Sequence, residues 1–117
     1  MARKQAREVG KEAGLRQPAI EALATAVSEL ARNILVHAGS GEVTIGVGLV
    51  DDRSAVVTVA RDLGPGIHDL ARAMEDGYST GPGLGLGLPG ARRLVDHFDI
   101  VSKPGHGTTV TLAMWTR

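Results

Sequence analysis

Apolar residues in this chain follow two periods. From Ile20 onward, Leu23, Ala24, Val27, Leu30, Ala31, Ile34 and Leu35 recur every three or four residues, the spacing of one helix face. Pro18 suits the first turn of that helix, and Gly39 ends it. Residues 3–13 predict an earlier helix of mixed charge with a narrow apolar face (Ala6, Val9, Ala13), stopped by Gly14. From Glu42 to Val50 the period shortens to two, with Val43, Ile45, Val47 and Leu49 alternating with small or polar residues. Asp51-Asp52-Arg53 turns the chain, and Ser54 to Ala60 continues as a β-branched run, so the two runs predict a hairpin. Arg61 to Ile67 reads as a loop, Asp69 to Glu75 as a short helix and residues 76–87 as a loop. A helix over Leu88 to His97 follows. Then come a strand over Phe98 to Lys103, a turn at Pro104-Gly105-His106-Gly107 and a strand over Thr108 to Trp115.

Strands that come as hairpins, not as βαβ units, predict an α/β protein of the α+β kind. The expected form is a two-layer sandwich: a mixed, mostly antiparallel sheet with helices on one face. The 117 residues suit a single domain spanning 1–117.

Composition excludes several classes of function. Thirteen basic and thirteen acidic residues cancel, so no global field draws nucleic acid or an anionic membrane. Tyr78, Phe98 and Trp115 are the only aromatics, too few for a base-stacking platform. There is no cysteine, hence no disulfide, thiolate metal site or cysteine nucleophile. No apolar run reaches the ~20 residues of a membrane span, and the N-terminus has no signal-peptide core. A soluble cytoplasmic protein is expected.

Three stretches carry candidate chemistry. On the long helix, Glu29, Asn33 and His37 are spaced i, i+4, i+8 and stack along one side; Glu29, Asn33 and Ala26 lie roughly opposite the apolar stripe, with His37 nearer its edge. The Asn33 carbonyl is a suitable hard ligand for Mg²⁺. Glu29, one turn away, could receive a proton from a hydroxyl. The same residues also fit a solvated polar face, and His37 fits a helix end near the negative pole of the dipole. Next, Asp62-Leu63-Gly64-Pro65-Gly66 follows a strand directly. A carboxylate held there could accept a hydrogen bond from an exocyclic amine such as that of adenine, or the segment could simply be a strand-ending turn. Last, five of the ten residues 81–90 are glycine, three leucines alternate with them, and a helix follows. A glycine loop opening a helix presents free N–H groups to phosphate; a plain flexible loop would be more polar and serine-rich. Gly85 to Gly90 matches G-x-G-x-x-G, but no strand precedes it and Pro89 interrupts it, so it is a poor dinucleotide fingerprint. No Walker motif is present, and neither Ser79 nor Ser102 has the sequence context of a nucleophile.

Each stretch is weak alone, but their order is specific. Glu29-Leu30-Ala31-Arg32-Asn33, then Asp62-Leu63-Gly64-Pro65-Gly66, then Gly83-Leu84-Gly85-Leu86-Gly87-Leu88, resemble the N, G1 and G2 boxes of the GHKL (Bergerat-fold) ATPases. Gly107-Thr108-Thr109 looks like the short final motif of that site, and the resemblance runs from about Arg3 to Trp115. Leu86 to Leu94 looks most like the small bacterial switch kinases of the RsbT type in stressosome partner switching, rather than the anti-sigma-factor kinases proper. The resemblance implies an ATP-dependent protein serine/threonine kinase of a stress-response or sigma-factor pathway, with ATP and Mg²⁺ as cofactors. It implies that Asn33 holds Mg²⁺ against the phosphates and that Glu29 is the base or orients the attacking hydroxyl. Asp62 would bind the adenine amine with Thr109 nearby, Gly64 and Gly66 would let the chain pass base and ribose, and Gly83, Gly85, Gly87 and Leu88 would close over the phosphates. The implied substrates are STAS-domain antagonist or scaffold proteins, with a PP2C-type phosphatase as a further partner, and neither nucleic acid nor membrane.

Two departures stand out. The family's leading strand has no counterpart before the first helix, and residues 76–91 contain no Lys or Arg, where many family lids carry a cation for the γ-phosphate. Arg92 or Arg32 could compensate. The competing expectations are a nucleotide-dependent sequestering module with little turnover, and the ATPase domain of a histidine kinase.

Overall fold

The computed structural model describes residues 2–64, 87–103 and 105–116. The helix expected over Asp69–Glu75, the loop expected over 76–86 and the candidate residues Gly66, Gly83 and Gly85 lie outside them. Helix α1 (Ala2–Glu12) and helix α2 (Gln17–His37) form an antiparallel pair. Arg3 reaches Ser28 and Arg7 reaches Glu21 across it. Gly10 of α1 lies buried against Ile20 and Leu23, where a Cβ would come within 3.3 Å of the Ile20 side chain. Pro18 opens α2. At its far end the amides of Ala38 and Gly39 both donate to the Ile34 carbonyl, at 2.8 and 2.9 Å, and Gly39 takes φ +82°. This left-handed glycine stop is the one the sequence predicts.

Strands β1 (Gly41–Val50) and β2 (Arg53–Asp62) form the expected hairpin. Its two turn residues, Asp51 and Asp52, have φ of 51° and 63°. Two consecutive left-handed residues match the right-handed strand twist, and aspartate tolerates that conformation better than most residues. Helix α3 (Gly87–Leu94), β3 (His97–Lys103) and β4 (Gly107–Trp115) complete the described elements. The sheet order is β1-β2-β4-β3, and every neighbouring pair is antiparallel.

Two boundaries differ from the expectation by more than one residue. Strand β2 does not stop at Ala60: Arg61 and Asp62 stay in register with Glu42 and Gly41 on one side and with Thr109 and Thr108 on the other. Backbone pairing on both flanks carries the strand past the end of its apolar pattern. Helix α3 ends at Leu94, three residues early, because Asp96 is drawn to the sheet. Its amide donates to the Ala113 carbonyl and its carboxylate accepts from the Trp115 amide at 2.8 Å.

Alternation along β2 and β4 divides the sheet. Val56, Thr58 and Ala60 of β2, with Val110, Leu112 and Met114 of β4, are buried towards the helices. They pack with Leu23, Val27 and Leu30 of α2 and with Leu88 and Ala91 of α3 in one core. Among the described residues all three helices lie on this face, so the two-layer expectation holds. At the open edge of the sheet, Val47 and Leu49 of β1 remain exposed.

Candidate nucleotide site

Asp62 is the last residue of β2 and only 6% exposed. Its parity with Ala60 and Thr58 puts it on the helix side of the sheet. The Gly64 amide donates to its Oδ1 at 2.9 Å. An N–H donor two residues on is an Asx turn, which fixes the carboxylate without a charged partner. Three glycines let the backbone close in around it. A Cβ at Gly41 would stand 2.5 Å from the Arg61 carbonyl oxygen and 3.1 Å from the Asp62 Cβ. One at Gly64 would stand 2.6 Å from the Ala38 Cβ and 3.2 Å from Asp62 Oδ1. One at Gly107, where φ is +86°, would collide with the Asp62 carbonyl. The last turn of α2 closes the same corner through Ile34, which contacts the Gly41 position, and Ala38, which contacts Gly64. A buried carboxylate at a strand end, framed by backbone, is suited to an amine donor and leaves little space for side chains.

Thr108 and Thr109 separate by one residue and by one face. Thr108 pairs with Asp62, is buried on the same side and shares a 2.8 Å hydroxyl–hydroxyl hydrogen bond with Ser102. The Ser102 hydroxyl also donates to the Gly107 carbonyl at 3.2 Å. Thr109, the residue predicted from sequence, pairs with Arg61 and Val101 on the open face. The structure thus brings Thr108, not Thr109, beside Asp62. Sequence reasoning also passed over Gly41, Ala38 and Ser102. Only Gly107-Thr108 gave a local signal, a glycine turn feeding a strand.

Glu29 and Asn33 stand one turn apart on α2, and neither is exposed. Ala26, on their side of the helix, is fully buried and shares the core cluster with Leu88 and Ala91. Helix α3 therefore packs along this flank, which is not a solvated face. Glu29 retains 12% side-chain exposure, and Arg32 approaches it at 3.8 Å. The Glu29 Oε2 and Arg32 Nη2 atoms are both buried without a hydrogen-bond partner among the described residues. His37 closes the helix; its side chain lies outside the described set. Gly87 opens α3 with φ +52°, so only a glycine turns the chain into this helix without strain. Leu88 is buried beneath it at the start of the run Leu88-Pro89-Gly90-Ala91, and so supports the helix mouth from inside the core.

Residues 1–114 match the histidine kinase-like ATPase domain family. The Serine/threonine-protein kinase RsbT of Bacillus subtilis (strain 168) is 46% identical over 118 residues, covering 99% of this chain and 87% of that protein. The Anti-sigma F factor of Caldanaerobacter subterraneus subsp. tengcongensis is 31% identical over 107 residues, 84% of this chain and 73% of that one. Among solved structures, full-length ShkA in complex with AMPPNP superposes with a TM-score of 0.66 over 97% of this chain at 20% identity. This chain spans 29% of that one. The mycobacterial sensor histidine kinase MprB superposes with a TM-score of 0.61 at 22% identity, over 82% of this chain and 71% of that one. At those identities the two structures speak for the fold alone. The chain belongs to the histidine kinase-like ATPase family, with its GHKL ATP-binding fold. Within that family, likeness to RsbT over nearly the whole chain marks it as a protein serine/threonine kinase.

Proposed function

We propose that this kinase transfers the γ-phosphoryl group of Mg-ATP to a serine or threonine of a STAS-domain partner. In this reading it serves a bacterial partner-switching pathway and also engages a PP2C-type phosphatase. The observation that carries the nucleotide part is the Asp62 corner: a buried carboxylate pinned by the Gly64 amide and framed by Gly41, Gly64 and Gly107. Asp62 accepts the adenine amine there, and Thr108 lines the same side of the pocket. Gly64 and Gly66 give the base and ribose room to lie against backbone. Gly83, Gly85 and Gly87 would close over the phosphates, with Leu88 supporting the mouth of α3 at Gly87. Thr109 has a lesser part, supporting the strand from the open face.

Among the described residues no cluster of three or more His, Asp or Glu side chains would hold a metal. That fits Mg²⁺, which keeps several waters and takes one or two protein oxygens plus substrate phosphates. Asn33 would supply such an oxygen, and the bound ion would neutralise charge on the β- and γ-phosphates. Glu29, one turn back, accepts the proton of the attacking hydroxyl. As the hydroxyl oxygen bonds to the γ-phosphorus, the bond from that phosphorus to the β,γ-bridging oxygen breaks, and ADP leaves with the electron pair. Little covalent work falls to the protein in such a transfer, which rests on positioning and charge.

Two variants test the reading. A thermal-shift titration with Mg-ADP should stabilise the parent by ~2.7 kcal/mol at 100 times its dissociation constant. Asp62→Asn, which keeps one acceptor oxygen for the Gly64 amide and turns an NH2 donor towards the adenine amine, should lose that shift. Glu29→Gln should keep the shift and lose transfer to a STAS-domain substrate by about a hundredfold or more. No shift in the parent would remove the adenine site. Transfer by Glu29→Gln at the parental rate would remove Glu29 as base.

A further inference from the structure

Arg32 stands apart from the other described basic side chains. Every other described lysine and arginine is exposed, whereas the Arg32 side chain retains 32% exposure and its Nη2 is buried without a hydrogen-bond partner among the described residues. It lies on α2 between Glu29 and Asn33, and it precedes Asn33 directly. Its only ion pair among the described residues is the loose approach of Nη1 to Glu29 Oε2 at 3.8 Å. A charge-assisted hydrogen bond between such groups is about 2.7–2.9 Å long. The pair thus balances charge while both buried atoms keep their hydrogen-bonding capacity unspent. Buried charged donors nearly always have an acceptor, so this guanidinium is suited to a further anion. The glycine-rich stretch brings no competing cation, since residues 76–91 contain no Lys or Arg.

We propose that Arg32 is the cation that receives the terminal phosphate of ATP, and that in meeting it Arg32 leaves Glu29. The inference rests on the ATP-dependent kinase reading above. A guanidinium matches a phosphate with two parallel donors, and the terminal phosphate carries more charge than the Glu29 carboxylate. ADP has no γ-phosphate to offer, so with ADP the Arg32–Glu29 pair stays as it is. With ATP the cation moves off and leaves Glu29 Oε2 open to the attacking hydroxyl. Arg32 therefore ties access to the base to the presence of the phosphoryl group that is to be transferred.

The test is calorimetric titration of the full chain with Mg-ADP and with Mg-AMPPNP, for the parent, Arg32→Gln and Arg32→Lys, alongside kcat and KM for ATP. Arg32→Gln should bind ADP within about twofold of the parent. Its preference for AMPPNP over ADP should fall about ten- to a hundredfold, the range for a lost charge-assisted hydrogen bond. Arg32→Lys should restore part of that preference, and in Arg32→Gln kcat should fall together with a rise in KM. An unchanged AMPPNP-to-ADP ratio in Arg32→Gln overturns the inference. So does an equal loss of both nucleotides, which marks Arg32 as structural. If Arg32→Gln does not fold, the ratio in Arg32→Lys decides: a parental value overturns the inference and a reduced one supports it. If the parent binds neither nucleotide, the kinase reading itself fails and the inference falls with it.

Discussion

Gly64→Ala is the sharpest test of how the Asp62 corner is built. The added methyl would lie 2.6 Å from the Ala38 Cβ, 3.0 Å from the Ala38 Cα and 3.2 Å from Asp62 Oδ1. Carbon atoms pack at about 3.5–4.0 Å, so the nearest contact is short by roughly 1 Å. The two nearest neighbours are the Ala38 Cβ and Cα, which cannot swing away. Relief requires the chain at residue 64 to move. A shift of that size would stretch the 2.9 Å bond from the Gly64 amide to Asp62 Oδ1 beyond hydrogen-bond range. Overpacking of this kind costs about 1–3 kcal/mol, and a hydrogen bond to a charged group contributes about 1.5–3 kcal/mol. The two losses overlap, so about 2–4 kcal/mol is expected. For a chain of this length that lowers Tm by roughly 8–16 °C. Urea unfolding of the variant measures it directly. Gly46→Ala is the control: its Cβ meets nothing within 4 Å, and alanine in a strand should be neutral or stabilise by up to ~1 kcal/mol. If Gly64→Ala unfolds within about 0.5 kcal/mol of the parent, the corner is looser than its geometry shows and Asp62 is not held by this turn.

Two further outcomes follow from contacts already described. Thr108→Val removes a buried hydroxyl beside Asp62 and should weaken Mg-ADP binding about fivefold, the worth of one neutral hydrogen bond. Thr109→Val, on the other face, should leave ADP affinity within about twofold, and the reverse ranking in calorimetry would contradict the face assignment. Arg7 donates to both oxygens of the Glu21 carboxylate, at 3.2 and 3.0 Å, and these bonds first of all hold its pKa below the ordinary 4.5. A depressed carboxylate pKa contributes stability that is present above its unfolded value and is lost as pH falls through the folded one. In an NMR titration Arg7→Ala should therefore raise the Glu21 midpoint, and neutral-pH stability should change little because the pair is exposed. An unmoved midpoint would show that Arg7 does not set it.

Much of this architecture was legible because period and punctuation agreed. Helix α2 carries its apolar residues at helical spacing between Pro18 and Gly39, and the first hairpin changes period on either side of Asp51-Asp52. What escaped the sequence depended on distant partners. The flank of α2 holding Ala26, Glu29 and Asn33 reads as its polar side on a helical wheel, yet Ala26 is buried in the core that Leu88 and Ala91 of α3 share. Strand β2 outruns its apolar pattern because Gly41 and Thr108 continue to pair with Asp62. The choice between Thr108 and Thr109 turns on strand parity, where one residue exchanges the faces of the sheet. Gly41 and Ala38 frame the site without any motif, since nothing near them in the chain shows what they will approach.

The register that joins Gly41, Asp62 and Thr108 has a consequence for how the molecule comes together. These residues lie on β1, β2 and β4, so the corner closes only once chain segments nearly seventy positions apart have met. Such long loops are slow to close, and their entropy is lost before any contact compensates it. A half-zipped chain that holds the first hairpin but not β4 has the carboxylate without Gly107 and Thr108 around it. Nucleotide held at this corner, as proposed, would thus stabilise the finished sheet and not its folding intermediates. Its free energy is added to global unfolding, so the central strands should exchange their amide hydrogens as one cooperative unit when nucleotide is present.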